Sequence, residues 1–157
     1  MPDESKIYHG QVSEHALIFN EFGEVLLLIH AGRGNPIYRG KYHLPGGRMD
    51  TDDVPGEGLL REIAEETGLQ GVELVLPCSA TRWGPVMPNF GIKYSVTYLA
   101  KIAGRPVPNL PDDEDHMGAE WVPYSKAVDA EFTFVGVNEA VRQTGVWAKR
   151  LGVLRDE

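Results

Sequence analysis

With 157 residues and a formal net charge of −8, the chain is long enough for one domain with a core and too acidic for a general nucleic-acid binder, which needs a basic stripe. The same charge repels an anionic substrate unless a cation intervenes. The one cysteine, Cys78, excludes an intrachain disulfide and suits a reducing compartment. The longest clean apolar run, Val25–Ile29, is far too short to cross a membrane, and the start MPDESKIYHG lacks the apolar core of a leader. The expectation is a cytoplasmic protein with neither membrane nor nucleic acid as a partner.

In chain order, "HALIF" (15–19) and "VLLLI" (25–29) read as two strands, with Asn20 and Gly23 forming a hairpin turn between them. Both are nearly all apolar, so at least one should be buried on both faces. Residues 30–41 form a Gly- and Pro-rich loop, and "YHLPGGRMD" is a short extended piece ending in a Gly-Gly turn. A helix is predicted from Val54 or Pro55 to Gly68, with Pro55 in its first turn and Gly68 as its left-handed stop. Gly56 and Gly58 each weaken its start by about 1 kcal/mol. Residues 72–84 read as a strand broken at Pro77, and 92–102 as another. Residues 104–118 form a long acidic loop, and "EWVPYSKAV" a short strand running into a helix. Val137, Ala140, Val141, Thr144 and Ala148 recur at helical spacing, which predicts a closing helix over 137–151. The order implies a mixed sheet with helices packed on it, in one domain over 1–157.

The stretch "REIAEETGL" (61–69) carries three glutamates in five residues. On a helix Glu62, Glu65 and Glu66 share a face, while Leu60, Ile63, Ala64 and Thr67 form the buried stripe. Converging carboxylates suit a hard divalent cation such as Mg²⁺, and Arg61 can pin one of them. A solvated acidic face has the same pattern. Residues 47–69 read G-RMDTD-D-VPGEGLL-R-E-I-A-E-E-T-G-L. This resembles the Nudix box, G-x5-E-x7-R-E-U-x-E-E-x-G-U, at eight of nine specified positions, with Asp53 in place of the first glutamate. The "YHLPGG" lead-in and the later "EWVP" are similar to that family as well.

The resemblance implies a Nudix-type α/β/α sandwich around a mixed sheet, and Mg²⁺- or Mn²⁺-dependent hydrolysis of a nucleoside diphosphate linked to another group. By motif position, Glu62, Glu65 and Glu66 with the Gly46 carbonyl are implied metal ligands. Arg61 orients a carboxylate, and Glu62 or Glu65 handles water. The acidic stretch 111–116 is an alternative source of the base, although such a loop is more often simply solvated. Asp53 is expected either to cap the helix or to hold Arg61.

Arg48, Arg82 and Trp83 are substrate-contact candidates, and the loop 82–91 is expected to border the cleft. Arg33, Arg39 and Lys41 are further phosphate or sugar candidates. Tyr38, Tyr42, Phe90 and Tyr94 are candidates to stack on a base, although an aromatic is more often core. His43 reads as structural, and Trp147 as packed. Pro85, sixteen residues past the box, matches a spacing that the family associates with ADP-ribose. The substrate is a small nucleotide, with a nucleoside diphosphate sugar or ADP-ribose-like compound favoured. A nucleoside triphosphate, including an oxidised one, is the alternative, and a non-cleaving nucleotide sensor is the alternative of another class. A homodimer is compatible with the sequence.

Overall fold

The two apolar runs near the N-terminus become strands β1 (Val12–Phe19) and β2 (Glu24–His30) in the computed structural model, which describes residues 3–6, 10–84, 93–112 and 115–155. Asn20 makes the turn between them. Its side-chain oxygen accepts from the backbone N–H groups of Phe22 and Glu24, and Gly23 adopts the left-handed φ of 74°. The hairpin then forks, since the two strands pair only near the turn, at Phe19 and Val25. Strand β1 continues parallel to β6 (Lys93–Lys101), and β2 antiparallel to β7 (His116–Pro123).

One segment crosses the fork. Its first part, β3 (Tyr42–His43), pairs with β2, and its second, β4 (Gly46–Arg48), pairs with β1. The glycine pair is therefore a strand and not the predicted turn. A Cβ on Gly46 would collide with the Glu14 carbonyl oxygen, so only glycine lets β4 come this close at that residue's φ of 139°. The strand β5 (Glu73–Trp83) closes the far edge beside β6, giving the order β3-β2-β1-β6-β5 with β4 on β1 and β7 on β2. Pro77 does not break β5. An edge strand tolerates the missing N–H, and register shifts flank it.

Alternate residues of the central strands serve opposite layers. Ala16, Ile18, Leu26 and Ala100 cluster with Leu59 and Ile63 of helix α1 (Glu57–Thr67). Leu17, Phe19, Leu27 and Leu99 cluster with Val137, Ala140, Val141 and Ala148 of α3 (Val137–Arg150). A four-residue helix, α2 (Tyr124–Ala127), follows β7. The result is an α/β/α sandwich around a mixed sheet, with β1 and β2 buried on both faces, as their unbroken apolar runs required.

Two expectations fail in detail. The buried stripe of α1 runs through Leu59, Ile63 and Thr67, while Leu60 is 39% exposed. The helix is rotated so that Leu59 meets the sheet. Trp147 is 38% exposed under the Arg150 guanidinium, 5.3 Å from its ring centroid, because the α3 stripe that meets the sheet passes through Ala148.

Candidate active site

The start of α1 is set from outside the helix. Gly56, at φ 85°, occupies the cap position, and no side chain within the turn caps it. Its N–H points instead to both carboxylate oxygens of Glu14 in β1, at 3.2 and 3.3 Å. Glu14 is buried and also hydrogen-bonded with Tyr98, whose phenol is pushed up to about 12 by burial first and by Glu14 second. Gly56 thus lies outside the helix and costs it nothing.

Asp53 consequently does not cap α1. Its Oδ1 accepts from Arg61 at 3.1 Å, and its Oδ2 accepts from the Asp50 N–H at 2.8 Å. Those two bonds, the backbone one first, hold its carboxyl below the usual carboxylate range. Gly58 leaves room for this arrangement, since a Cβ there would lie 2.8 Å from the Asp53 carboxyl carbon. The guanidinium of Arg61 also lies 3.9 Å from Glu62 and 3.8 Å from Glu65, so one cation bridges three carboxylates.

The remaining glutamate reaches across to the fork. Glu66 Oε1 accepts from the Gly46 N–H at 3.0 Å, tying α1 to β4. Gly47 faces Glu62, whose Oε2 is 3.7 Å from the position of a Cβ on that glycine. Burial first, then repulsion from Glu65, raise the Glu62 carboxyl above its ordinary range, with Arg61 opposing. The structure therefore gathers Gly46, Arg61, Glu62, Glu65 and Glu66 in one place. The donors are all oxygens, which suits a hard divalent cation. Among the described residues, however, no three acidic, imidazole or thiol groups stand close enough to hold an ion without side-chain movement.

A cleft of about 480 Å³ opens over these glutamates. Glu62, Glu65, Glu66 and Gly46 line it, together with the rings of His30, Tyr38, His116 and Phe134 and with Arg33, His43, Asp115 and Thr133. Arg33 and Asp115 form a loose ion pair at 3.5 Å. His43 lies with Nδ1 3.0 Å from Thr133 Oγ1. Burial drives both His43 and the underlying His15 well below the ordinary imidazole range, and the nearby Lys93 charge adds to this, so both rings are neutral at pH 7.

Arg48, Arg82 and Trp83 do not line the cleft. Trp83 is fully buried, its ring 4.4 Å from His15 and 6.2 Å from both His43 and Phe134, with Nε1 donating to Thr81. It lies beneath the cleft and not on its wall, because α3 and the segment before it cover that face of β5. Arg82 follows the β5 alternation outward, and Arg48 leaves β4 on the side opposite Gly47. Of the other candidates, Tyr42 donates to Glu120 and Lys41 pairs with Glu131. Pro85, Phe90, Asp113 and Glu114 lie outside the described residues, as does most of the loop 82–91.

Comparison with known proteins decides the family. A family model described as the NUDIX domain matches residues 11–141, most of the chain. The chain belongs to the Nudix family. A Caenorhabditis elegans protein bearing a nudix hydrolase name is 32% identical over 101 residues, 62% of this chain but only 24% of that one. The chain thus spans about a quarter of the length of that curated relative. The crystal structure of a C. elegans Ap4A hydrolase binary complex superposes with a TM-score of 0.70 at 17% identity, over 88% of this chain and 97% of that one. The Nudix domain of Shewanella oneidensis NrtR, crystallised with ADP ribose, gives 0.66 at 19% identity, over 96% and 94%. At such identities the likeness is one of fold. No helix among the described residues is long and apolar enough to cross a membrane.

Proposed function

We propose that residues 1–157 act as one Nudix hydrolase domain that cleaves a pyrophosphate bond in a nucleoside diphosphate-linked compound, with an ADP-ribose-like or nucleoside diphosphate sugar substrate favoured. The observation that carries this reading is the junction of α1 and β4, where Glu62, Glu65 and Glu66 meet Gly46 beside a nucleotide-sized cleft. Glu62, Glu65 and Glu66 with the Gly46 carbonyl would hold Mg²⁺ or Mn²⁺. When bound, such a cation offsets the charge of the pyrophosphate and activates water for attack.

The protein's own groups do the rest. Arg61, anchored by Asp53, orients Glu62 and Glu65. One of these accepts the proton of the attacking water. The rings of His30, Tyr38, His116 and Phe134 offer apolar faces for a planar base in the same cleft as the carboxylates. The neutral state of His43 keeps it a hydrogen-bonding group without adding charge. Support for the substrate class comes from the ADP ribose bound to the Nudix domain of similar fold.

The test is a phosphate- and nucleotide-release assay over ADP-ribose, nucleoside diphosphate sugars, dinucleoside polyphosphates and nucleoside triphosphates with Mg²⁺, on wild type and Glu66→Gln. Turnover highest on a diphosphate-linked compound and lost in Glu66→Gln is expected. Preference for a triphosphate would replace the substrate class, and tight binding without turnover of any member would make the chain a nucleotide sensor.

A further inference from the structure

Two basic side chains and a buried hydroxyl meet on the side of β4 that faces away from the glutamates. Ser13 stands opposite Arg48 in the antiparallel β1–β4 pair and opposite Ser95 in the parallel β1–β6 pair. Residues paired in this way share a face, and Lys93, two positions before Ser95, shares it as well. Gly47, between Gly46 and Arg48, faces Glu62 instead. We propose that Ser13, Arg48 and Lys93 form an oxyanion subsite that takes a phosphate-type group of the substrate beside the Phe134 edge of the cleft.

Three observations carry this assignment. Lys93 is mostly buried, with its ammonium 4.5 Å from the Phe134 ring centroid and 5.4 Å from that of Trp83, and no carboxylate pairs with it among the described residues. Ser13 is fully buried, and its Oγ has no hydrogen-bond partner among the described residues. Arg48 is exposed, forms no ion pair among the described residues, and stands at the solvent side of the row. A buried ammonium and a buried hydroxyl are both costly without partners. The aromatic faces satisfy the ammonium only in part, whereas an oxyanion would satisfy all three groups. Consistent with this, burial first and the Arg48 charge second bring the Lys93 pKa down to about 8.

The geometry also links the subsite to the cleft. Phe134 lines the cleft and carries Lys93 against its ring. The role of the subsite in catalysis rests on the hydrolase reading. Its ability to bind an anion does not.

The probe is inorganic pyrophosphate, titrated calorimetrically into the full chain in excess chelator, so that no cation mediates binding. Wild type should bind. Lys93→Met, which keeps the length of the side chain against Trp83 and Phe134, should bind about tenfold more weakly or worse, the loss expected for one charge-assisted contact. Arg48→Gln and Ser13→Ala should each weaken binding by a smaller factor, whereas Glu66→Gln should not. No binding by wild type, or equal binding by wild type, Lys93→Met and Arg48→Gln, overturns the subsite. Arg48→Gln alters only an exposed side chain, so it decides the matter if Lys93→Met melts early. Hydrolysis lost in Glu66→Gln with pyrophosphate affinity unmoved in Lys93→Met would leave the hydrolase and remove the subsite. Affinity lost in Lys93→Met with no nucleotide cleaved would do the reverse.

Discussion

At the residue scale the question is what one missing methylene does at Asp53. The shorter carboxylate lies against Gly58 and spends its two oxygens on Arg61 and the Asp50 N–H. Asp53→Asn keeps an acceptor but loses the charge that anchors Arg61. Turnover should fall several-fold with little change in melting temperature, and steady-state kinetics beside a thermal melt will separate the two. Gly58→Ala tests the same contact from the other side. Helix propensity alone favours alanine by about 1 kcal/mol, but its Cβ would displace the Asp53 carboxyl. Activity should therefore drop even if stability does not. Because the Asp53 pKa is lowered in the fold, its contribution to stability is present above its ordinary value of 3.8 and is lost as pH falls below it. Lys93 has the opposite sign. A lysine pKa lowered from 10.5 to about 8 leaves the unfolded chain holding more protons between those values. Stability from this group therefore rises with pH across that window, and a series of denaturant melts should show the rise in wild type and not in Lys93→Met.

At the element scale α1 is held by a narrow stripe. Ile63→Ala removes a fully buried side chain and should cost about 2–5 kcal/mol, whereas Leu60→Ala on the exposed flank should stay within about 0.5 kcal/mol. Equal losses in urea denaturation would show that the helix is rotated from the orientation seen here. The two leucines also show why part of this helix was not legible. Residues 59 and 60 lie about 100° apart on a helix, and either completes an apolar stripe with Ile63. What selects Leu59 is the sheet face formed by Ala16, Ile18 and Ala100. The C-terminal stop at Gly68 was legible, because a left-handed residue there is a local requirement. The start was not, because the partner of Gly56 is Glu14, forty-two positions away. The α3 stripe was read except for Gly145, which is buried against the Tyr124 hydroxyl of another element.

At the scale of the whole molecule, the fork between β1 and β2 builds the site. It lets one short segment pair with both halves, and places Gly46 where Glu66 can reach it. The mixed sheet with helices packed on it could be read from the order of elements, and the α/β/α layers followed from the resemblance of residues 47–69 to the Nudix box. Of the rings in the cleft lining, Tyr38 was among the stacking candidates, but His30, His116 and Phe134 could not be read, because they come from separate stretches that only the fold brings together. Trp83 misled for a physical reason: a tryptophan next to a Gly-Pro loop has the composition of a cleft residue, but β5 carries it under the α3 layer. The measurement that tests the central claim most directly is the rate of nucleotide hydrolysis by the wild-type chain in excess chelator and again after Mg²⁺ or Mn²⁺ is restored. The α1–β4 carboxylate site predicts no turnover in chelator and recovery with either ion. Hydrolysis that persists at full rate in excess chelator would contradict it.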